Sequence, residues 1–153
     1  MEIHDVKLKR LNVIPDERGF LMEILRKDDI EFFNDFGQVY ISGVNSGAIK
    51  AWHYHKEQTD CVACIKGLIK LVIYDGRVDS PTYGMLEEFF IGELNPMLIK
   101  IPKGCYHGWK GIDKDVSLVV NCPDKLYSYS SPDEHRLNPN SIEIPYEWDR
   151  VDG

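Results

Sequence analysis

From Gln38 to Asn121 the chain breaks into short apolar runs separated by turn residues at nearly even spacing, and this punctuation limits the fold more than any other feature. Strand-like runs fall near Gln38–Val44, Ile49–His55, Cys61–Ile65, Leu68–Tyr74, Met85–Ile91, Met97–Ile101 and Ser117–Asn121. Lys66-Gly67 reads as a hairpin turn, Asp75 to Gly84 as a longer loop, and Glu93-Leu94-Asn95-Pro96 as another turn. Many short strands with turn signals between them specify an all-β sandwich or barrel. At 153 residues the chain can build one substantial core, so a single domain over 1–153 is expected.

Upstream, Val6 to Val13 alternates in part and stops at the turn cluster Ile14-Pro15-Asp16-Glu17-Arg18-Gly19, after which Phe20 to Leu25 resumes as a strand. Asp28 to Phe36 predicts one short N-terminal helix: acidic residues lead it, Ile30, Phe33 and Phe36 are apolar, and Gly37 closes it. After Cys122 the pattern lapses into an irregular Pro-, Ser- and Asn-rich tail with two apolar stretches, Ile142–Ile144 and Tyr146–Trp148. That tail is expected to wrap the barrel or a partner subunit.

The net charge of −7 argues against a general polyanion-binding surface and hence against a nucleic-acid polymer as partner. Any phosphate contact must be local, through a few placed basic side chains. No apolar stretch approaches bilayer length and Met1-Glu2-Ile3-His4-Asp5 has no signal-peptide character, so a cytoplasmic protein without membrane contact is expected. Cys61 and Cys64 form a C-x-x-C string inside a strand-like run, where a separation of three puts the thiols on opposite faces. Buried strand cysteine is the expectation there, with a redox or zinc knuckle as the lesser reading. Cys105 and Cys122 read as small core or pocket-wall residues.

The chemistry-bearing residues concentrate around His53-Tyr54-His55. Alternate residues of a strand share a face, so His53 and His55 point together, and Asp60 and His107 can join them from neighbouring strands. Three of the five histidines and a carboxylate would thus meet. Such a group suits proton transfer near neutral pH or coordination of a divalent metal. Trp52 and Tyr54 point the other way, into core or subunit packing, and His4 and His135 are expected at the surface.

Gly47, His53-x-His55, Asp60 and Gly67 resemble the first motif of the cupin superfamily, with Asp where Glu is usual. Pro102-x-Gly104-x-x-His107 resembles the second, with Pro96 in place of its leading glycine and Gly111 in place of its final asparagine. The resemblance implies a double-stranded β-helix, or jelly-roll, barrel. Within cupins the chain is similar to the dTDP-4-dehydrorhamnose 3,5-epimerase family from about Arg10 to Trp148. The residues that carry this are Asp16-Glu17-Arg18-Gly19-Phe20, Glu23, Gln38, Lys50-Ala51-Trp52-His53, Asp79-Ser80-Pro81-Thr82-Tyr83-Gly84 and Ile101-Pro102-Lys103-Gly104-Cys105-Tyr106-His107-Gly108-Trp109.

That resemblance implies a nucleotide-diphospho 4-keto-6-deoxy sugar as substrate, no cofactor and a homodimer. His53 matches the family's catalytic base and His107 its pocket histidine. Arg18 and Lys50 match residues that hold the diphosphate, and Glu23 and Gln38 match residues near the nucleotide and sugar. Tyr129 best matches an aromatic that packs on the nucleobase, with Tyr127 as rival. Three departures stand out. The position of the family's pocket lysine falls on Asp60, that of its catalytic tyrosine on Val120, and the late aspartate that orients the base has no counterpart. His55 is extra.

Epimerisation beside a ketone needs a base, an enolate stabiliser and a proton donor on the far face, and neutral imidazole is the natural base. The leading reading is therefore an isomerase acting at C3 and/or C5 through an enolate, with His53 as base and Tyr127 or Tyr129 replacing the missing tyrosine. His107, Lys56 or a metal would stabilise the enolate. The alternatives are a 3,4-ketoisomerase, prompted by His55; a metal cupin such as a dioxygenase, with one divalent ion on His53, His55, Asp60 and His107; and a catalytically silent sugar-nucleotide binder.

Overall fold

The computed structural model describes residues 2–152. Among the described residues there are twelve strands: β1 (Lys7–Arg10), β2 (Val13–Asp16), β3 (Gly19–Met22), β4 (Tyr40–Val44), β5 (Ile49–Tyr54), β6 (Asp60–Lys66), β7 (Leu68–Asp75), β8 (Leu86–Gly92), β9 (Met97–Ile101), β10 (Cys105–Gly111), β11 (Ser117–Asn121) and β12 (His135–Arg136). One five-stranded sheet runs β1-β9-β6-β11-β4, a second runs β12-β5-β10-β7-β8, and β2 and β3 form a separate hairpin. All ladders are antiparallel. The two sheets form a jelly-roll-like sandwich, as the strand spacing implied.

Side-chain alternation gives each sheet an inner and an outer face. Val62 and Cys64 of β6, Ile69, Leu71 and Ile73 of β7, Ile99 and Ile101 of β9 and Val119 of β11 meet in the inner core. Cys61 and Ala63 turn outward with Leu98, beneath Leu11, Phe32, Ile24 and Leu25. The two thiols of the C-x-x-C string thus lie in separate clusters on opposite faces, and all four cysteines are free. The outer face of the second sheet is covered by the tail, where Ile144 and Trp148 bury against Trp52 and Val72.

Two sequence expectations need correction. No helix forms among the described residues, and Asp28–Phe36 is a loop. A single turn closes where Phe32 and Phe33 donate to the Asp29 carbonyl, and then stops. Arg26 engages Asp28 while the Arg26 backbone and Lys9 engage Asp29, so local side-chain bonds compete with helix propagation. The buried residue is Phe32, whereas Ile30, which the helical stripe would have buried, is 86 % exposed. Second, β10 is a strand that the sequence pattern does not mark. Gly108 and Gly111 lower its strand propensity, but Gly108 is required, because a Cβ there would lie 2.3 Å from Ala51 Cβ.

The Trp148 ring lies tilted against Trp52 at 5.0 Å and edge-to-face with Tyr146 at 5.0 Å, with the Lys70 ammonium 5.9 Å above its ring. Truncation to alanine opens a cavity under the tail. Trp148→Ala is expected to lower unfolding free energy by about 3–5 kcal/mol, read from urea denaturation.

Candidate active site

At one end of the sandwich the inner face turns from apolar to polar and encloses a cavity of about 710 Å³. His53, His55, His107, Trp109 and Lys50 line it from the second sheet and its loop, Gln38, Tyr40 and Ser42 from the other side, and Lys125 to Ser128 with Asp133, Glu134 and Arg136 from the tail segment. His53 sits opposite His107 in the β5–β10 ladder, their rings 5.8 Å apart, and His107 lies 5.6 Å from His55. The ladder slips between His107 and Trp109, so that Trp109 pairs with Lys50. This bulge lets Lys50 and His53 both face the cavity although they are three positions apart, an odd offset that regular alternation would send to opposite faces. Lys50 Nζ reaches Ser42 Oγ across the cavity at 2.9 Å.

Asp60 is the centre of the polar end and is 1 % exposed. Its Oδ2 lies 3.2 Å from His55 Nε2 and 3.3 Å from His107 Nε2, and its Oδ1 accepts from Gln58 Nε2 at 2.7 Å and Asn121 Nδ2 at 2.9 Å. Burial raises the Asp60 carboxyl, but hydrogen bonds from His107 and His55 outweigh it and hold the group well below the usual carboxylate range. For His55, burial favours the neutral ring, yet the Asp60 hydrogen bond and charge, with the Asp133 carbonyl 2.6 Å from Nδ1, push it up to about 9. His55 is an imidazolium at neutral pH. Asp133 ties this end down further, its carboxylate accepting from the backbone N–H groups of Lys56, Glu57 and Gln58.

His53 is set the other way. Burial, then the neighbouring His107, Arg136 and His55, lowers it to about 3, so it stays neutral and keeps a lone pair. Arg136 sits beside it because Arg136 pairs with His53 in the β12–β5 ladder.

Of the residues singled out from the sequence, His53, His55, His107, Lys50, Gln38 and Tyr127 line the cavity and Asp60 lies beneath it. Arg18 and Glu23 do not line it. Arg18 stands on the β2–β3 turn, bonded to Asp16, with its side chain 85 % exposed, and Glu23 pairs with Arg26. Tyr129 is 93 % exposed and packs edge-on to Tyr127 at 5.2 Å. Val120 pairs with Ala63 and so lies on the outer face, while Asn121, one residue on, faces inward. Asn121, Gln58, Asp133, Tyr40, Trp109 and Arg136 also line or support the cavity, and the sequence pattern does not single them out. For Asn121 and Tyr40 strand alternation was the available signal, and Arg136 and Asp133 lie in a tail with no period to read.

His55, Asp60 and His107 could hold a metal, since their ligating atoms lie within 4.8 Å of one another; His53 is outside this set. As folded, however, all four acceptor positions of Asp60 are taken and His55 carries its extra proton. An ion would have to displace those protons.

A jelly-roll cavity holding one neutral imidazole, a buried imidazolium–carboxylate pair and cations at its rim defines an enzyme site of the cupin type. The family profile described as dTDP-4-dehydrorhamnose 3,5-epimerase matches residues 1–152, and the chain belongs to that family. It is 45 % identical over 147 residues to the probable low-salt glycan biosynthesis epimerase Agl13 of Haloferax volcanii, covering 95 % of this chain and 94 % of that protein. It is 37 % identical over 146 residues to the spore coat polysaccharide biosynthesis protein SpsL of Bacillus subtilis, covering 95 % and 96 %. The crystal structure of a dTDP sugar isomerase from Desulfovibrio desulfuricans G20 superposes with a TM-score of 0.91 at 32 % identity, covering 98 % of this chain and 94 % of that one.

The two shifted groups define the pH range of the fold. Because His55 is raised, its contribution is complete below about pH 6.5 and is lost as pH rises through about 9. Because Asp60 is lowered, its contribution is present above about pH 4 and is lost on acidification. The thermal midpoint is expected to fall between pH 7 and pH 10, and His55→Gln should flatten that alkaline decline in a calorimetric pH series.

Proposed function

We propose that the chain epimerises a nucleotide-diphospho 4-keto-6-deoxy sugar at C3 and/or C5, in the supply of activated deoxy sugars for surface polysaccharide. The observation that carries this is His53, a neutral imidazole in a desolvated wall, beneath a rim with Lys50, Lys125 and Arg136 on a chain of net charge −7. These cations suit a diphosphate. They also bear on the base: Arg136 is one of the groups that depress His53, so an anion beside it makes His53 more basic as substrate binds. His53 then takes a proton from the carbon beside the ketone, leaving an enolate.

The enolate needs positive potential, and His55 supplies it in place of the family's lysine. Both of its ring nitrogens are engaged, by Asp60 and by the Asp133 carbonyl, so it acts as a fixed charge. This engagement also weakens the ketoisomerase reading, which used His55 as a second proton carrier. Tyr127, whose backbone N–H donates to Gln38 Oε1 at 3.1 Å, and Tyr129 form an aromatic pair suited to the nucleobase. The filled valences of Asp60 favour a reaction without cofactor. The free cysteines suit a reducing compartment, in keeping with a cytoplasmic enzyme.

A homodimer reconciles Arg18 and Glu23 with substrate binding. The hairpin that carries Arg18 exposes Ile14, Phe20 and Leu21, and β4, an edge strand, exposes Ile41 beside Val39. Two such apolar patches on one chain fit a second copy, and the pairing would bring each hairpin towards the other cavity.

Three measurements test this reading. In heavy water with dTDP-4-keto-6-deoxyglucose, His53→Asn should lose about 10² to 10⁴ in deuterium uptake beside the ketone while keeping its fold; unchanged uptake removes His53 as base. Dialysis against a chelator should leave uptake unchanged, whereas stoichiometric metal with activity lost on chelation and restored on addition would overturn the cofactor-free mechanism. Light scattering should give twice the chain mass of 17.7 kDa.

A further inference from the structure

The family's far-face proton donor is missing from its strand, because Val120 has no proton to give and points outward with Ala63. The adjacent strand fills the gap. Tyr40 of β4 lies directly opposite Asn121 of β11, and both face inward. Tyr40 lines the cavity on the sheet opposing the one that carries His53, and 40 % of its surface is accessible, so a sugar between the sheets can touch both groups.

The direction of one hydrogen bond decides what Tyr40 can do. Asn121 Nδ2 lies 2.9 Å from the Tyr40 hydroxyl oxygen and 2.9 Å from Asp60 Oδ1. An amide nitrogen only donates, and turning the amide over would set its oxygen against the acceptor-only Asp60 carboxylate. The Tyr40 oxygen is therefore an acceptor in this bond, and its own hydrogen has no acceptor among the described residues. Burial, then the charge of Asp60, pushes the phenol up to about 12, so it keeps that proton.

We propose that Tyr40 is the proton donor that inverts the substrate carbon, delivering its phenolic proton to the face opposite His53. The inference rests on the epimerase reading above. His53 removes the proton from the carbon beside the ketone, the C–H pair becomes a C=C bond, and the carbonyl π pair moves onto oxygen. The enolate then collapses to the ketone as that carbon takes the proton of the Tyr40 O–H on the other face. This leaves a phenolate and an imidazolium, which return to phenol and imidazole by exchange of one proton through solvent.

The test uses the full chain with dTDP-4-keto-6-deoxyglucose in heavy water and follows two quantities, deuterium uptake at C3 and C5 and formation of the inverted sugar. A folded Tyr40→Phe should still exchange, because His53 returns a deuteron to the face it took the proton from, but its ratio of inversion to exchange should drop by about 10² or more. Tyr40→Leu, which also lacks the proton, must behave the same. In Tyr127→Phe and Tyr129→Phe inversion and exchange should change together. Inversion at the wild-type ratio in Tyr40→Phe overturns the proposal, as does loss of both readouts in that folded variant, or the split appearing in a Tyr127 or Tyr129 variant instead. A wild-type protein that exchanges no deuterium overturns the epimerase reading itself, an outcome distinct from these.

Discussion

The polar end of the molecule depends on one buried carboxylate. Asp60 joins His55 and Gln58 of the loop after β5 to His107 of β10 and Asn121 of β11, and through Asn121 it reaches Tyr40 of β4. Members of both sheets are thus tied to one atom pair. A buried carboxylate is tolerated only when its acceptor positions are filled and a counter-charge is near. Asp60 meets both conditions, and in meeting them it fixes the tautomer, charge or orientation of each group around it. Removing it would strand an imidazolium and two amide donors in a place where water cannot replace the lost partner.

The same carboxylate explains why two histidines separated by one residue in the chain, His53 on β5 and His55 just after it, behave oppositely. His55 touches Asp60 and is charged, while His53, desolvated beside other cations, is neutral. The end of β5 and the loop that follows it therefore present a free base and a fixed positive charge within the same cavity. Pairs of titratable groups driven apart in this way mark an acid–base site more securely than either group alone. On the proposed mechanism, Asp60 at the position of the family's lysine still leaves a positive charge in the cavity, because its partner His55 carries it.

How much of this was legible follows from what has a period. Strand alternation placed His53 with His55 and sent Cys61 and Cys64 to opposite faces, because two-residue periodicity is a local property of the backbone. Counting to a family position along the chain led to Val120 but could not tell which face that residue presents, because the face is set by the register of β11 on β6. The bulge that brings Lys50 to the same cavity as His53 could not be read either, since it arises where β5 and β10 pair, at Gly108 against Ala51. The helix expected over Asp28–Phe36 was lost to side-chain bonds from Arg26 and Lys9, which propensity does not see. Arg136 and Asp133 reach the site only because β12 docks on β5, a tertiary event with no signature in their own segment.

The division of the sandwich into an apolar and a polar end follows from energetics. At the polar end Asn121 Oδ1 and Trp109 Nε1 are buried with no partner, each an expense of about 1–3 kcal/mol. These defects lie beside the group that the chemistry needs. Satisfying Asn121 Oδ1 from a neighbour would require a donor next to Asp60, and satisfying the Tyr40 proton would take it away from the cavity. The apolar end offsets them. Ile69, Leu71, Ile73 and Ile99 are fully buried, and each such side chain contributes about 1.5–3 kcal/mol. Other strands of the same core run on into the cavity wall: β4 carries Val44 as well as Tyr40 and Ser42, β6 carries Val62 and Cys64 beyond Asp60, and β11 carries Val119 two residues before Asn121. Each of these polar side chains is thus two to four residues from a packed one on the same face. That proximity is what allows an under-bonded polar cluster to hold a single geometry.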